Sequence, residues 1–323
     1  MTNVLRLVAV CTVHLIILSE SVSAQSFIAL KPGSNTKILD ISVVPNFSVS
    51  DIGNSGVQSL SGIDVQPGTG TLFGSTGFND TGRIYKIDPS TGAGTLVGAS
   101  GFQAVSGLAF DLNGDLFGTA SLFGNTVTER LIKIDPLTGV GTSIGTFQAF
   151  GIDGIDGIAI HPTTGIMYAT SVISSTGADP LFTINKTTGA ATFIGTLTEP
   201  GTGNAAPGAI VGLAFDNTGN LYGTTGGGDG NILAININSL TFTVVGDATT
   251  SGSVSDLTFY NPVAVPEPTS VWITMGLLAA GVAVRRRTKN QLERFSPELP
   301  EKETKLGILH SPFNRVGPQF DVF

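Results

Sequence analysis

The 323-residue chain contains one cysteine and one tryptophan, and charged residues make up only 12% of it. The cysteine, Cys11, lies in an N-terminal apolar run that reads as a removable signal, so the exported chain would carry none. That excludes a disulfide framework, a thiol nucleophile and any cysteine-ligated zinc or iron–sulfur centre. Without covalent staples the domain depends on its core, and roughly 240 residues are enough to bury one.

Basic residues are also scarce. Residues 25–268 hold seven Lys or Arg against eighteen Asp or Glu, a net charge of −11. With no basic footprint to neutralise phosphates, a nucleic-acid partner is excluded. Docking on anionic lipid is excluded too, other than through the C-terminal apolar segment. The same region has one histidine, His161. Without a partner His or Cys it supports neither a zinc site nor a Ser-His-Asp triad. A phosphate loop is missing, because Gly226-Gly-Gly-Asp-Gly230 lacks the Lys and Ser/Thr that should follow, and it reads as a loop between strands. What the chain has instead is glycine, 43 in all, with polarity supplied by Ser, Thr and Asn. That profile suits an all-β domain with many tight turns.

Residues 1–24 have the three parts of a secretory signal peptide. Arg6 supplies the positive start, residues 7–18 the apolar stretch, and Val22-Ser23-Ala24 the small-residue site, with cleavage after Ala24. Cys11 follows Val10 and sits too early in the apolar stretch for a lipoprotein signal.

Near the other end, residues 265–287 run Val-Pro-Glu-Pro-Thr-Ser-Val-Trp-Ile-Thr-Met-Gly-Leu-Leu-Ala-Ala-Gly-Val-Ala-Val-Arg-Arg-Arg. Pro266 and Pro268 fix φ and bias Val265 and Glu267 towards extended backbone, the form a protease-like groove reads. Thr269 and Ser270 can cap a helix that starts directly after them. Residues 269–284 carry no charge, and Trp272 stands where an interfacial aromatic belongs. Sixteen residues give about 24 Å of helix, a little short of a full span, and snorkelling by Arg285, Arg286 and Arg287 can close the gap. The three arginines hold that end on the cytoplasmic side. A buried core helix followed by a basic turn is the other reading of the same residues.

The Pro-Glu-Pro, Trp and Arg placements closely resemble the PEP-CTERM sorting signal of exported Gram-negative proteins. The resemblance implies recognition by exosortase, a transpeptidase-like membrane enzyme, and delivery to the cell surface or beyond. Such signals usually end soon after the basic cluster. Here residues 288–323 add a stretch with five basic and five acidic residues and scattered prolines, which reads as a disordered cytoplasmic tail. The expected layout is a signal peptide at 1–24, a repeat domain at 25–262, the sorting signal with one transmembrane helix at 263–287, and the tail at 288–323.

The repeat domain shows four copies of one unit. A first strand reads Gly62-Ile-Asp-Val65, Gly107-Leu-Ala-Phe110, Gly157-Ile-Ala-Ile160 and Gly212-Leu-Ala-Phe215. A polar turn leads to a second strand at Leu72, Leu116, Met167 and Leu221. A third strand ends in Asp88-Pro-Ser-Thr-Gly92, Asp135-Pro-Leu-Thr-Gly139, Asn185-Lys-Thr-Thr-Gly189 or Asn236-Ile-Asn-Ser-Leu240, and a fourth follows. Four strands per unit at this spacing is the signature of propeller blades. The Asp/Asn-to-Gly segments are turns. Alternation along the third strand places Ile84 and Lys86 on an outward face against Tyr85 and Ile87. The glycine opening each first strand suits a crowded axis.

A fifth copy starts at Asp256-Leu-Thr-Phe259 and stops at Asn261-Pro262. Three β-type runs near the N-terminus, at 27–30, 37–44 and 47–52, can supply its missing strands. The expectation is therefore a five-bladed β-propeller of four-stranded blades whose closing blade is shared between the termini, which leaves no open sheet edge in the ring. A β-sandwich or an open β-solenoid is the alternative.

Candidate chemistry is sparse. Asp111-Leu-Asn-Gly-Asp115 has oxygens at alternate positions, but Leu122 stands where a calcium loop needs its closing Glu, so it reads as a hairpin turn, like the His161 segment. The best place for a site is the rim where one blade feeds the next. There the register contains Ser61, Ser106, Asp156, Val211 and Ser255, with Asp64, Asp153 and Asp256 close by. Asp64, Asp156 and Asp256 are the candidates to hold Ca²⁺ or a sugar, or to raise one another's pKa; the competing reading makes them solvated or turn-capping carboxylates. The leading functional expectation is an exported, non-enzymatic binding or structural protein with a glycan or matrix partner. The rival is a secreted propeller hydrolase or lactonase with an Asp/Ca²⁺ site at the channel mouth.

Overall fold

The computed structural model describes residues 25–44, 46–77, 81–121, 129–147, 154–171, 179–248 and 252–261. Leader residues up to Ala24, Asp153 and the segment that carries Pro266, Glu267, Pro268, Trp272 and Arg285 to Arg287 lie outside them. Among the described residues no helix is long and apolar enough to cross a membrane.

The described residues form twenty strands in five antiparallel sheets of four. Blade 1 holds β4 (Leu60–Val65), β5 (Leu72–Thr76), β6 (Arg83–Ile87) and β7 (Gly94–Ala99). Blade 2 holds β8 (Ala104–Phe110), β9 (Leu116–Ser121), β10 (Arg130–Ile134) and β11 (Gly141–Thr146). Blade 3 holds β12 (Ile155–Ile160), β13 (Met167–Ser171), β14 (Asp179–Ile184) and β15 (Ala191–Leu197). Blade 4 holds β16 (Ile210–Phe215), β17 (Leu221–Thr225), β18 (Asn231–Asn236) and β19 (Thr241–Asp247). The closing blade takes its innermost strand, β20 (Asp256–Tyr260), from the C-terminal side. Its other strands, β1 (Gln25–Lys31), β2 (Lys37–Val44) and β3 (Ser48–Asn54), come from the N-terminal side. The inner strands pack in the cycle β4, β8, β12, β16, β20 and back to β4. The chain is a five-bladed propeller closed by both ends.

Local sequence explains the blades. In blade 1 the Asp88 carboxylate accepts from the Ser90 N–H and hydroxyl, which folds the chain back so that Gly92 can take a left-handed φ of 76°. Asn185 and Asn236 bend blades 3 and 4 the same way through their side-chain oxygens. The fourth copy has Leu240 in the left-handed position, φ 55°, where the other three have glycine.

The core is five layers, one between each pair of neighbouring blades. Phe73 and Ile84 of blade 1 meet Leu108, Phe110 and Ile132 of blade 2. Phe117 and Leu131 of blade 2 meet Ile158 and Phe182 of blade 3, and Tyr168 of blade 3 meets Leu213 and Phe215 of blade 4. Ile232 of blade 4 packs on Phe27 and Leu257, and Ile28, Leu30 and Ile38 pack on Leu60, Ile63 and Leu72 to complete the circle. This corrects the outward placement of Ile84, which is fully buried. A blade is covered on both faces, so alternation here separates two buried sides, and Lys86 shares Ile84's side only near the sheet end, over the Phe73 ring.

Neighbouring blades also lock at their outer strands. A Cβ at Gly98 would overlap the Thr138 carbonyl oxygen, and one at Gly145 the Thr188 oxygen. The Thr-Gly turn of each following blade thus sits on the bare backbone of the preceding one.

Candidate functional site

An innermost strand has a paired neighbour on one side and the channel on the other, so its channel-side amides need other partners. The glycines that open these strands let the strands approach closely. A Cβ at Gly62 would come 2.7 to 2.9 Å from Ser75 Oγ, Ser106 O and Leu108 N. Side chains at this position are therefore absent in blades 1 to 4. In the closing blade the position is Asp256.

Asp256 is 3% exposed. Its Oδ2 accepts from the Ile63 N–H of β4 at 2.9 Å and its Oδ1 from the Leu257 N–H at 2.9 Å. The Leu213 N–H of β16 also bonds to it. Asp64 lies two residues further along β4 and is half-buried. Its Oδ2 accepts from the Phe110 N–H of β8 at 2.6 Å and its Oδ1 from the Thr258 hydroxyl of β20 at 2.7 Å. Burial pushes Asp64 up to about 6 despite those donors. Burial likewise raises Asp256 well above the usual carboxylate range, and the charge of Asp64 adds to the effect. The two carboxylates are thus brought together and connect four of the five inner strands.

The same device recurs towards the other end of the inner strands. Glu129, just before β10, accepts from the Ile155 N–H that starts β12, at 2.5 Å. Asp179, at the start of β14, accepts from the Ile210 N–H that starts β16, at 3.0 Å, and is 2% exposed. Burial raises Glu129 to about 7, and burial raises Asp179 as well. Every inner strand has at least one backbone N–H held by a carboxylate. Sequence reasoning missed Glu129 and Asp179, because each precedes or opens a third strand and serves the next blade.

Asp156 is elsewhere. It lines a small cavity of about 230 Å³ with Ser61, Val211 and Ser255, the rim register expected from the repeat. Burial raises its pKa, and Glu129 feels its charge. Among the described residues no three His, Cys, Asp or Glu side chains come together as a metal site. Asp111 and His161 are turn residues. Asp111 Oδ1 accepts from the Asn113 and Asp115 N–H groups, and His161 Nδ1 from Thr163 and Thr164. Gly141-Thr-Ser-Ile-Gly145 matches the Gly-x-Ser-x-Gly spacing of a nucleophile elbow, which corrects the expectation that the domain has none. It lies within the outer strand β11, where Ser143 Oγ accepts from Arg130, and lacks the strand-to-helix turn that chemistry needs.

At the opposite end from Asp156 the channel widens into a funnel of about 350 Å³ to which all five blades contribute. Its walls include Val65, Leu108, Phe110, Ile158, Ile160 and Phe215. Asp64 and Thr258 provide the polar floor. Asn261, the last described residue, stands at its mouth.

Three residues beyond Asn261 a family model takes over: residues 264–287 match the PEP-CTERM protein-sorting motif. The chain carries a PEP-CTERM sorting motif. Motifs of this kind are recognised by exosortase and mark a protein for export and sorting at the cell envelope, so this propeller carries the signal of an exported protein. Comparison with curated proteins finds no match. Among solved structures, one from the nidogen/laminin complex superposes with a TM-score of 0.51 at 12% identity, over 73% of this chain and 98% of that one. That likeness shows the propeller fold. A structural genomics protein of unknown function from Bacteroides thetaiotaomicron gives 0.49 at 15% identity, over 74% and 65% of the two chains. A putative 6-phosphogluconolactonase from Bacteroides fragilis gives 0.44 at 10%, over 75% and 99%.

Proposed function

We propose that this exported PEP-CTERM propeller is a non-enzymatic binding or structural component of the envelope or extracellular matrix, with a glycan or matrix polymer as partner. The observation that carries this reading is how the axial carboxylates are used. Asp64 and Asp256 accept backbone N–H groups of neighbouring inner strands, and the open funnel above them has apolar walls. A hydrolase or lactonase working through Asp64, Asp156 and Asp256 needs all three around one metal. Asp64 and Asp156 instead line different cavities at the two ends of the inner strands. Fold alone decides nothing, since propellers host both kinds of protein. The test is a screen of matrix glycans and of Ca²⁺ against the exported protein, read by melting temperature. Stabilisation by a glycan, with none by Ca²⁺ and no lactone turnover, is the expected result. Calcium-dependent stabilisation that disappears in both Asp64→Asn and Asp156→Asn would overturn it.

A further inference from the structure

The funnel combines features that select a ligand by charge. Its volume of about 350 Å³ lies in the range of small-molecule sites, and every blade contributes to it. Its walls are aliphatic and aromatic, so a bound molecule gains by burying apolar surface. Its lining includes two carboxylates, Asp64 at the floor and the buried turn residue Asp216, and no Lys, Arg or His. Among the described residues, the strands packed around Asp64 offer only acid: Asp256 on β20 is the other titratable group. Asp111, just past β8, is paired with Lys186 and does not line the cavity.

Asp64 has donors in the Phe110 and Val65 N–H groups and the Thr258 hydroxyl. An ionised carboxylate has about four acceptor sites, so one is left over, and half-burial leaves the group open to the funnel. It is a desolvated negative charge with hydrogen bonds but no counter-ion among the described residues. We infer that the funnel is a binding site for a small apolar molecule carrying one ammonium group, the apolar body on the Phe110, Ile158 and Phe215 walls and the ammonium on Asp64. Such a head supplies the missing charge, while an anionic head meets two carboxylates in a water-poor space. A neutral head gains the same apolar burial without the pairing. This goes beyond the envelope role proposed above and does not depend on the glycan.

The test uses the exported protein and three probes with one apolar body: benzylammonium, benzyl alcohol and benzoate, followed by calorimetry at about pH 8 and about pH 5, either side of the Asp64 range. At the higher pH benzylammonium should bind at least about tenfold tighter than the alcohol, with benzoate weakest, and the gap should shrink at the lower pH. Asp64→Asn should bring ammonium and alcohol within about twofold. Leu112 is 59% exposed at the rim, so Leu112→Lys leaves the fold undisturbed and should weaken benzylammonium and favour benzoate. That variant keeps the test valid should Asp64→Asn fail to fold. Equal binding of the three probes, no binding of any, or a preference unchanged in Leu112→Lys would overturn the inference. Glycan stabilisation is measured separately, so either proposal can fail alone.

Discussion

Asp256 and Leu30 stand opposite each other in the closing blade, where blade 1 has Gly62 opposite Ser75 and blade 4 has Gly212 opposite Thr224. In blades 1 and 2 a hydroxyl on the second strand serves the backbone: the Ser75 hydroxyl donates to Val105 O, and Thr119 Oγ1 accepts from Gly107 N–H. The closing blade exchanges the two kinds of side chain. Its polar group sits on the inner strand, and the residue behind it is apolar. Asp256 thereby reaches Ile63 of the next blade, which joins the last described strand to the first complete blade.

Removing that carboxylate should loosen the ring. Asp256→Ala strands the Ile63 and Leu213 N–H groups in a buried place, at a cost of about 2 kcal/mol or more. Asp256→Asn keeps an accepting oxygen and should cost clearly less. Urea unfolding of the two variants measures the difference, and equal losses would show that the carboxylate only fills space.

Stability should peak at mildly acidic pH. Asp64, raised to about 6, and Glu129, raised to about 7, hold protons in the folded state that the unfolded chain has released. Folding is therefore favoured below their unfolded values, and the benefit is lost as pH rises through the folded ones. At the acid end the opposite group acts. The Ser90 hydroxyl and N–H hold Asp88 below the usual range, and the Leu137 N–H and Thr138 hydroxyl do the same for Asp135. Asp111 and Asp216 are also lowered, their hydrogen bonds outweighing burial. Those contributions are lost as pH falls through the lowered values. The melting temperature should thus be highest near pH 4 to 5, roughly between the two sets. Glu129→Gln should flatten the decline towards pH 7.

Gly145→Ala should be among the most damaging small substitutions. The new methyl overlaps a backbone oxygen of the next blade, Thr188 O, which no rotamer change can move aside. A loss of about 2 kcal/mol or more is expected in chemical denaturation. Gly101→Ala has open space around it, but its φ of 84° imposes strain of about 1 kcal/mol, so it should fall between Gly145→Ala and a neutral change.

Processing at the sorting motif predicts a mass. The exported protein should lack Arg285, Arg286 and Arg287, and intact-mass spectrometry of material from the cell surface or medium reads this directly. Full-length protein in that fraction would contradict the sorting reading.

Much of the fold was legible because a blade is a local object. Each of the four repeat turns has its own Asp or Asn, three of them with a glycine and the fourth with Leu240, and strand spacing follows from them. Even the shared closing blade could be read, since Asp256-Leu-Thr-Phe259 copies a first strand and stops. The site was less legible. Asp64 and Asp256 were named as candidate ligand residues at a rim, and their use as acceptors of backbone N–H groups was not legible, because a channel-side amide becomes free only when the ring closes. Asp156 looked equivalent to them and is not: it lines the cavity at the other end of the inner strands. Glu129 and Asp179 gave no signal, since each serves a blade other than its own. Ile84 was misplaced for a related reason, as alternation cannot tell a wet face from a second dry one.

The closing blade also has a mechanical side. Because β20 is its innermost strand, tension applied from the C-terminal side enters the fold at Tyr260, at the ring's centre. β20 is paired with β1 over five residues, from Ser26–Tyr260 to Leu30–Asp256. A pull along the strand loads those pairs together, in shear, whereas the same pull on an outer strand such as β3 or β19 would peel its ladder one pair at a time. A tethered propeller of this design would resist being dragged open through its own tag.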